Sequence, residues 1–135
     1  MPCHKKIERL KGVFQKAIEG LDEQLKSQAF THVSYSNEKG EGFPSNERLE
    51  FLGDAVISLA VALNLYERLP GLSEGELTRM RAALVSGASL AQIAQMVDLG
   101  SYLKLGRGEE LTGGRARPSI LAGAFEAVIG AYFIQ

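Results

Sequence analysis

Three carboxylates stand at i, i+3 and i+7 in the stretch NERLEFLGDAVISLAVALNL, residues 46–65: Glu47, Glu50 and Asp54. Apolar residues recur there at helical spacing and no proline interrupts them, which predicts a helix of several turns. At about 100° per residue the three acids share one stripe. No lysine follows any of them at i+4 and only Arg48 is close, so the charges repel one another unless something positive sits among them. An all-oxygen set of this kind suits a hard divalent cation. The alternative for such a stripe is an ordinary solvated face.

The same helix must position those acids. Leu49, Leu52, Val56, Leu59, Ala60 and Leu63 fall on one side of it, and beyond Asp54 the acidic side continues as Ile57, Val61 and Leu65. A helix apolar nearly all round is expected to be buried on every side, with its acids at the mouth of a core. Phe51 lies beside the acids and not with the leucines, which predicts that it enters a partner surface. A second helix is expected over residues 119–133, with Pro118 in its first turn and Leu121, Phe125, Val128 and Tyr132 on its apolar side. Glu126 falls opposite, among Gly123, Ala127 and Gly130. Small residues allow a neighbouring helix to approach, and a glutamate enclosed by that approach needs a partner. The cation required by Glu50 and Asp54 is the natural one.

The remaining segments read as further helices and loops. Residues 5–21 keep helical spacing, and Asp22 is placed to cap a short helix ending at Ala29. His32 is expected at a cap or core position and not as a metal ligand. Residues 34–45, rich in Gly, Ser, Asn and charge, predict an exposed loop. Ser73 and Glu76 have capping-box spacing for a helix over residues 74–86, and Ser89 and Gln92 repeat the pattern for a helix ended by Gly100. Arg79 and Arg81 are candidates to face phosphate. Residues 103–117 read as a flexible glycine-rich connection offering Lys104, Arg107, Arg115 and Arg117 to phosphates. No repeat and no strand pattern stands out.

The chain has 135 residues, enough for one domain with a real core. No apolar run approaches membrane-spanning length, and the start MPCHKKIERLK has no stretch that would serve as a signal peptide. The lone Cys3 cannot form an internal disulfide, which points to a reducing, cytoplasmic setting. With 15 basic and 16 acidic side chains, the net charge of −1 excludes a domain that grips nucleic acid mainly by electrostatics.

Five segments carry a family resemblance: QAFTHVS (28–34), NERLEFLGD (46–54), EGELTRMRAALV (74–85), LKLGRG (103–108) and GGRARPSILAGAFEAVIGA (113–131). Together they resemble ribonuclease III, the metal-dependent endonucleases of double-stranded RNA, in the family's order and over about four fifths of the chain. The resemblance implies an all-α endonuclease domain of about six or seven helices spanning residues 1–135. It implies no double-stranded-RNA-binding domain within these residues. It also implies a homodimer that cuts an RNA duplex, leaving 5′-phosphates and short 3′ overhangs. By it, Glu50, Asp54 and Glu126 are metal ligands for Mg²⁺, with Mn²⁺ able to substitute, and Asp54 and Glu126 are the catalytic pair. Glu47 and Glu74 would line the cleft and Phe51 the dimer interface. One expected ligand is absent: where family sequences read ILAD, this chain reads ILAG, so Gly123 stands at an aspartate position. Weakened metal binding and reduced cleavage follow. A catalytically silent domain that dimerises and binds structured RNA is the competing reading, and a helical interaction module without an RNA role is the third.

Overall fold

The computed structural model describes residues 2–135, and among them the chain is all-helical. Eight α-helices follow one another: α1 (Pro2–Glu19), α2 (Glu23–Ala29), α3 (Val33–Lys39), α4 (Glu47–Arg68), α5 (Glu74–Leu84), α6 (Gly87–Met96), α7 (Arg107–Leu111) and α8 (Pro118–Ile134). Short 3-10 turns at Leu99–Tyr102 and Gly114–Ala116 complete the chain. The extended pairing among the described residues is a single bridge between Thr31 and Lys104. There, Lys104 N donates to Phe30 O at 2.8 Å and His32 N to Lys104 O at 3.0 Å.

Helix α8 is the axis of the core. Leu121, Ala124, Ala127, Val128 and Ala131 on it are buried, together with Ile18 of α1, Ala94 of α6 and Leu99. Its most extensive packing is against α4, then α6. Glycine makes the α4–α8 crossing possible. A Cβ on Gly53 would sit 1.7 Å from the backbone oxygen of Glu126, and one on Gly130 would sit 2.3 Å from that of Leu49. Only a residue without a side chain lets these two backbones meet.

Local chemistry sets several boundaries as the sequence predicts. Asp22 caps α2 by accepting from the backbone N–H groups of Gln24 and Leu25. Ser73 and Glu76 form the reciprocal capping box of α5. Pro118 occupies the first turn of α8.

Four expectations are corrected. Residues 34–45 are not all loop: α3 occupies much of the segment, because His32 caps its N-terminus and Gly40, at φ 81°, ends it. Helix α6 begins at Gly87, since Ser86 and not Ser89 is its cap, and it ends at Met96, before the left-handed Asp98. Residues 103–117 contain α7 and a 3-10 turn in place of a flexible connection. The second half of α4 is not buried on every side, for Leu59, Leu63 and Tyr66 are exposed. Helix α4 is also long and apolar enough to cross a membrane by length and composition, its charges lying near its two ends. It packs along α8, but only 17% of its apolar window is buried within the chain.

Candidate active site

The first three turns of α4 meet the middle of α8, and the acids gather at that meeting. Asn46 fixes where α4 begins: its N–H donates to Thr31 O at 2.8 Å and its Nδ2 to Ala29 O at 3.1 Å, and the residue is buried. Ser45 Oγ donates to Glu47 Oε2 at 2.9 Å. About two turns further along, the contact of Gly53 with the Glu126 backbone sets Glu126 beside Asp54. Glu47, Glu50, Phe51, Asp54 and Glu126 then line one open cavity of about 370 Å³.

The electrostatics of this cavity are those of unneutralised acids held together. Burial raises the Glu50 carboxyl above its usual range, and the neighbouring charges of Glu47 and Asp54 raise it further. Burial, and then the charges of Glu50 and Asp54, push Glu126 up to about 7. The donors are all carboxylate oxygens, the set that Mg²⁺ or Mn²⁺ takes. In kind they fit such an ion. Among the described residues, however, no three of these side chains are already drawn into an ion-gripping cluster. Carboxylates that repel one another have no reason to close up by themselves.

Two predicted site residues are not brought into this cavity. Glu74 lies at the start of α5 and accepts a hydrogen bond from Thr78 Oγ1 at 2.9 Å. It lines a separate cavity of about 470 Å³ between α4 and α5 with Tyr66, Leu77 and Arg81, so within one chain it does not join Glu50, Asp54 and Glu126. Gly123 lies buried behind Glu50, in the wall of a smaller cavity of about 230 Å³ shared with His32, Asn46 and Ser119. His32 itself is structural, its Nδ1 accepting from the Ser34 N–H at 3.2 Å.

The expected cationic arm is also largely committed to the fold. Arg115 Nη1 donates to Gly100 O and Leu103 O, each at 2.8 Å, while its Nε reaches Glu110. Arg117 pairs with Glu109 and Thr112, and Lys104 Nζ donates to Ser27 Oγ at 2.8 Å. These three are anchors of the segment. Sequence reasoning missed two positioning residues, Asn46 and Gly53. The signals were present, an amide just before a helix and a glycine inside one.

The profile of the Ribonuclease-III-like family matches residues 22–135. The chain belongs to the ribonuclease III family. Ribonuclease 3 of Natranaerobius thermophilus is 54% identical over 115 residues, covering 85% of this chain and 50% of that protein. The Ribonuclease 3 of a Bacillus cereus strain is 52% identical over 127 residues, covering 91% of this chain and 51% of its own length. The chain therefore spans about half the length of these curated relatives. Among solved structures, the nuclease domain of ribonuclease III from Campylobacter jejuni superposes with a TM-score of 0.76 at 40% identity, covering 94% of this chain and 82% of that one. A second structure of that domain, described as flexible in a region involved in dimer formation, gives 0.75 at 44% identity over 82% of this chain and 73% of its own. The family assignment and the all-helical fold thus agree with what the five sequence segments imply.

Proposed function

We propose that this chain is the endonuclease domain of a ribonuclease III and hydrolyses double-stranded RNA as a homodimer, using Mg²⁺ or Mn²⁺ held by Glu50, Asp54 and Glu126. The observation that carries the reading is the convergence of these acids from α4 and α8 on one open cavity, with Glu126 pushed up to about 7. A metal ion bound there would supply a hydroxide-like nucleophile at neutral pH and stabilise the charge on the phosphoryl group and the leaving 3′ oxygen. The chain's own part is to present oxygens. Glu126 must lose its proton to serve, and a bound cation would favour that loss where Glu50 and Asp54 oppose it. Glu47, held by Ser45, adds negative charge at the rim.

The exposed face of α4 supports the homodimer. Phe51 is 82% exposed and Tyr66 74%, and Leu59 and Leu63 between them are exposed too, so α4 offers large apolar side chains to a partner along much of its length. At its N-terminal end lies a groove of about 650 Å³ whose apolar lining, Leu25, Leu49, Phe51, Leu52 and Ile134, is edged by Gln28, Glu47 and Arg48. Exposed apolar side chains next to a groove suit a self-complementary two-fold contact. With α4's exposed side buried in this way, its apolar second half is accounted for.

Gly123 favours a second reading at the same site, a silent domain that dimerises and binds structured RNA without cutting it. Side-by-side cleavage of a labelled RNA duplex by this chain and by Gly123→Asp, in Mg²⁺ and in Mn²⁺, separates the two. Cutting by this chain that is weak in Mg²⁺ and stronger in Mn²⁺ supports the nuclease reading. No cutting by either protein, with duplex binding retained, supports the silent one.

A further inference from the structure

The nearly neutral net charge of this chain conceals a segregation. Helix α1 holds five cations against two glutamates, a formal charge of +3, while the other residues, with ten cations and fourteen acids, carry −4. At about 100° per residue, Lys5, Arg9 and Lys16 fall within about 40° of one another on one side of α1, and Gly12 falls beside them. The opposite side is the one the fold uses. Phe14 and Ile18 are buried there, and the Phe14 ring stacks on Phe125 with centroids 5.9 Å apart. The stripe therefore faces away from the core, and Lys5, Arg9, Gly12 and Lys16 are all exposed. Lys11, on another face, is held by Glu8 at 3.1 Å, but among the described residues no acid pairs with the three cations of the stripe.

Gly12 is an independent observation. A glycine in the middle of a helix lowers its stability. At Gly53 and Gly130 the close crossing of α4 and α8 requires it. A Cβ on Gly12 would meet nothing within 4 Å, and Gly12 is not one of the glycines at positive φ. Neither packing nor backbone conformation accounts for it. A bare stretch of backbone between long cations does admit the close approach of a bulky anionic chain.

We propose that Lys5, Arg9, Gly12 and Lys16 form a docking stripe for the phosphate backbone of an RNA duplex, on a surface separate from the acid cavity. The proposal rests on the duplex-cutting reading and adds a second contact to it. At 1.5 Å per residue the stripe is about 16 Å long, enough to meet several phosphates of one strand. It offers what residues 103–117 do not, since Lys104, Arg115 and Arg117 are tied into the fold. A membrane surface would need the apolar side of α1, and that side is packed into the domain. Three phosphate contacts make a modest grip, in keeping with a net charge of −1.

The test is binding of a labelled RNA duplex in chelator, read by fluorescence anisotropy over a range of KCl concentrations, with helical circular dichroism confirming that each variant folds. Lys5→Gln, Arg9→Gln and Lys16→Gln combined should weaken binding by about tenfold and make the slope of log affinity against log salt shallower by about 3. An off-stripe control of equal charge, Lys11→Gln, Lys26→Gln and Lys39→Gln combined, should keep the parent's slope. Gly12→Ala should raise the melting temperature yet weaken duplex binding by about threefold, two directions that a purely structural glycine would not combine. In Mn²⁺ the stripe variant should cut with a raised KM and the parent's kcat.

A stripe variant with the parent's affinity and salt slope, or a control that loses as much, overturns the stripe, and duplex cutting by the parent then leaves the nuclease reading standing. A parent that uses these residues to bind vesicles of anionic phospholipid and not the duplex overturns it equally. A parent that neither binds nor cuts the duplex overturns the nuclease reading and the stripe together.

Discussion

Removing the charge of Glu126 should stabilise the metal-free domain at neutral pH. In the folded chain the Glu126 carboxyl titrates at about 7 and not at its ordinary 4.5, because burial and the charges of Glu50 and Asp54 oppose its ionisation. Between those values the folded chain holds a proton that the unfolded chain has released. Stability from this group is therefore full below pH 4.5 and is lost as pH rises towards 7. At 1.36 kcal/mol per pH unit the interval corresponds to about 3 kcal/mol, which partial exposure and solvent screening reduce to about 1 kcal/mol. Glu50, raised for the same causes, acts in the same direction. Glu76 and Glu110 act oppositely, since their hydrogen bonds from Ser73 and Arg115 lower them, and their effect falls below pH 4.5. Urea unfolding with a chelator at pH 5, 6, 7 and 8, at one protein concentration, reads the slope. The parent should lose about 1 kcal/mol across that range, and Glu126→Gln should lose much less and exceed the parent at pH 8. A parent whose stability rises from pH 5 to 8, or a Gln variant weaker than the parent at pH 8, would refute the coupled-acid picture.

Other predictions follow from the packing. Gly53→Ala drives a methyl into the Glu126 carbonyl and should cost about 3 kcal/mol or more in thermal or chemical unfolding. Phe51→Asp places a charge among the exposed apolar side chains of α4, and sedimentation should show the dimer weakened while the monomer's helical circular dichroism persists. Arg115→Met releases two backbone carbonyls and Glu110, so it should lower stability by about 2 kcal/mol, whereas Arg79→Met on exposed α5 should leave stability within about 0.5 kcal/mol.

Much of this arrangement was legible because local chemistry decided it. The acids at 47, 50 and 54 fall on one stripe by helical geometry alone, and Pro118, Asp22 and the Ser73–Glu76 pair mark boundaries by the hydrogen bonds they make or cannot make. Glu126 was legible because small residues surround it. What stayed hidden depends on tertiary contact. A glycine-rich run such as residues 103–117 reads as mobile until Arg115 is seen holding Gly100 and Leu103. The segment around α3 reads as loop by composition, yet one histidine cap and the Arg107 and Gly106 N–H groups docked on Glu38 and Ser34 order it. The exposed face of α4 was read as buried because apolar spacing alone does not tell which faces of a helix the chain itself covers. The meeting of Glu50 with Gly123 joins residues 73 positions apart on different helices, and no local pattern encodes it.

The central claim is that Glu50, Asp54 and Glu126 form a metal-dependent site for cutting RNA duplexes. Its most direct measurement is the cleavage of an end-labelled RNA duplex in Mn²⁺ by the parent chain and by Asp54→Asn, with the chemistry of the new ends determined. The account predicts metal-dependent cutting by the parent that leaves 5′-phosphates and is lost, by about a hundredfold or more, in Asp54→Asn. Equal cutting by both proteins, or cutting that persists in chelator and leaves 5′-hydroxyls, would contradict it.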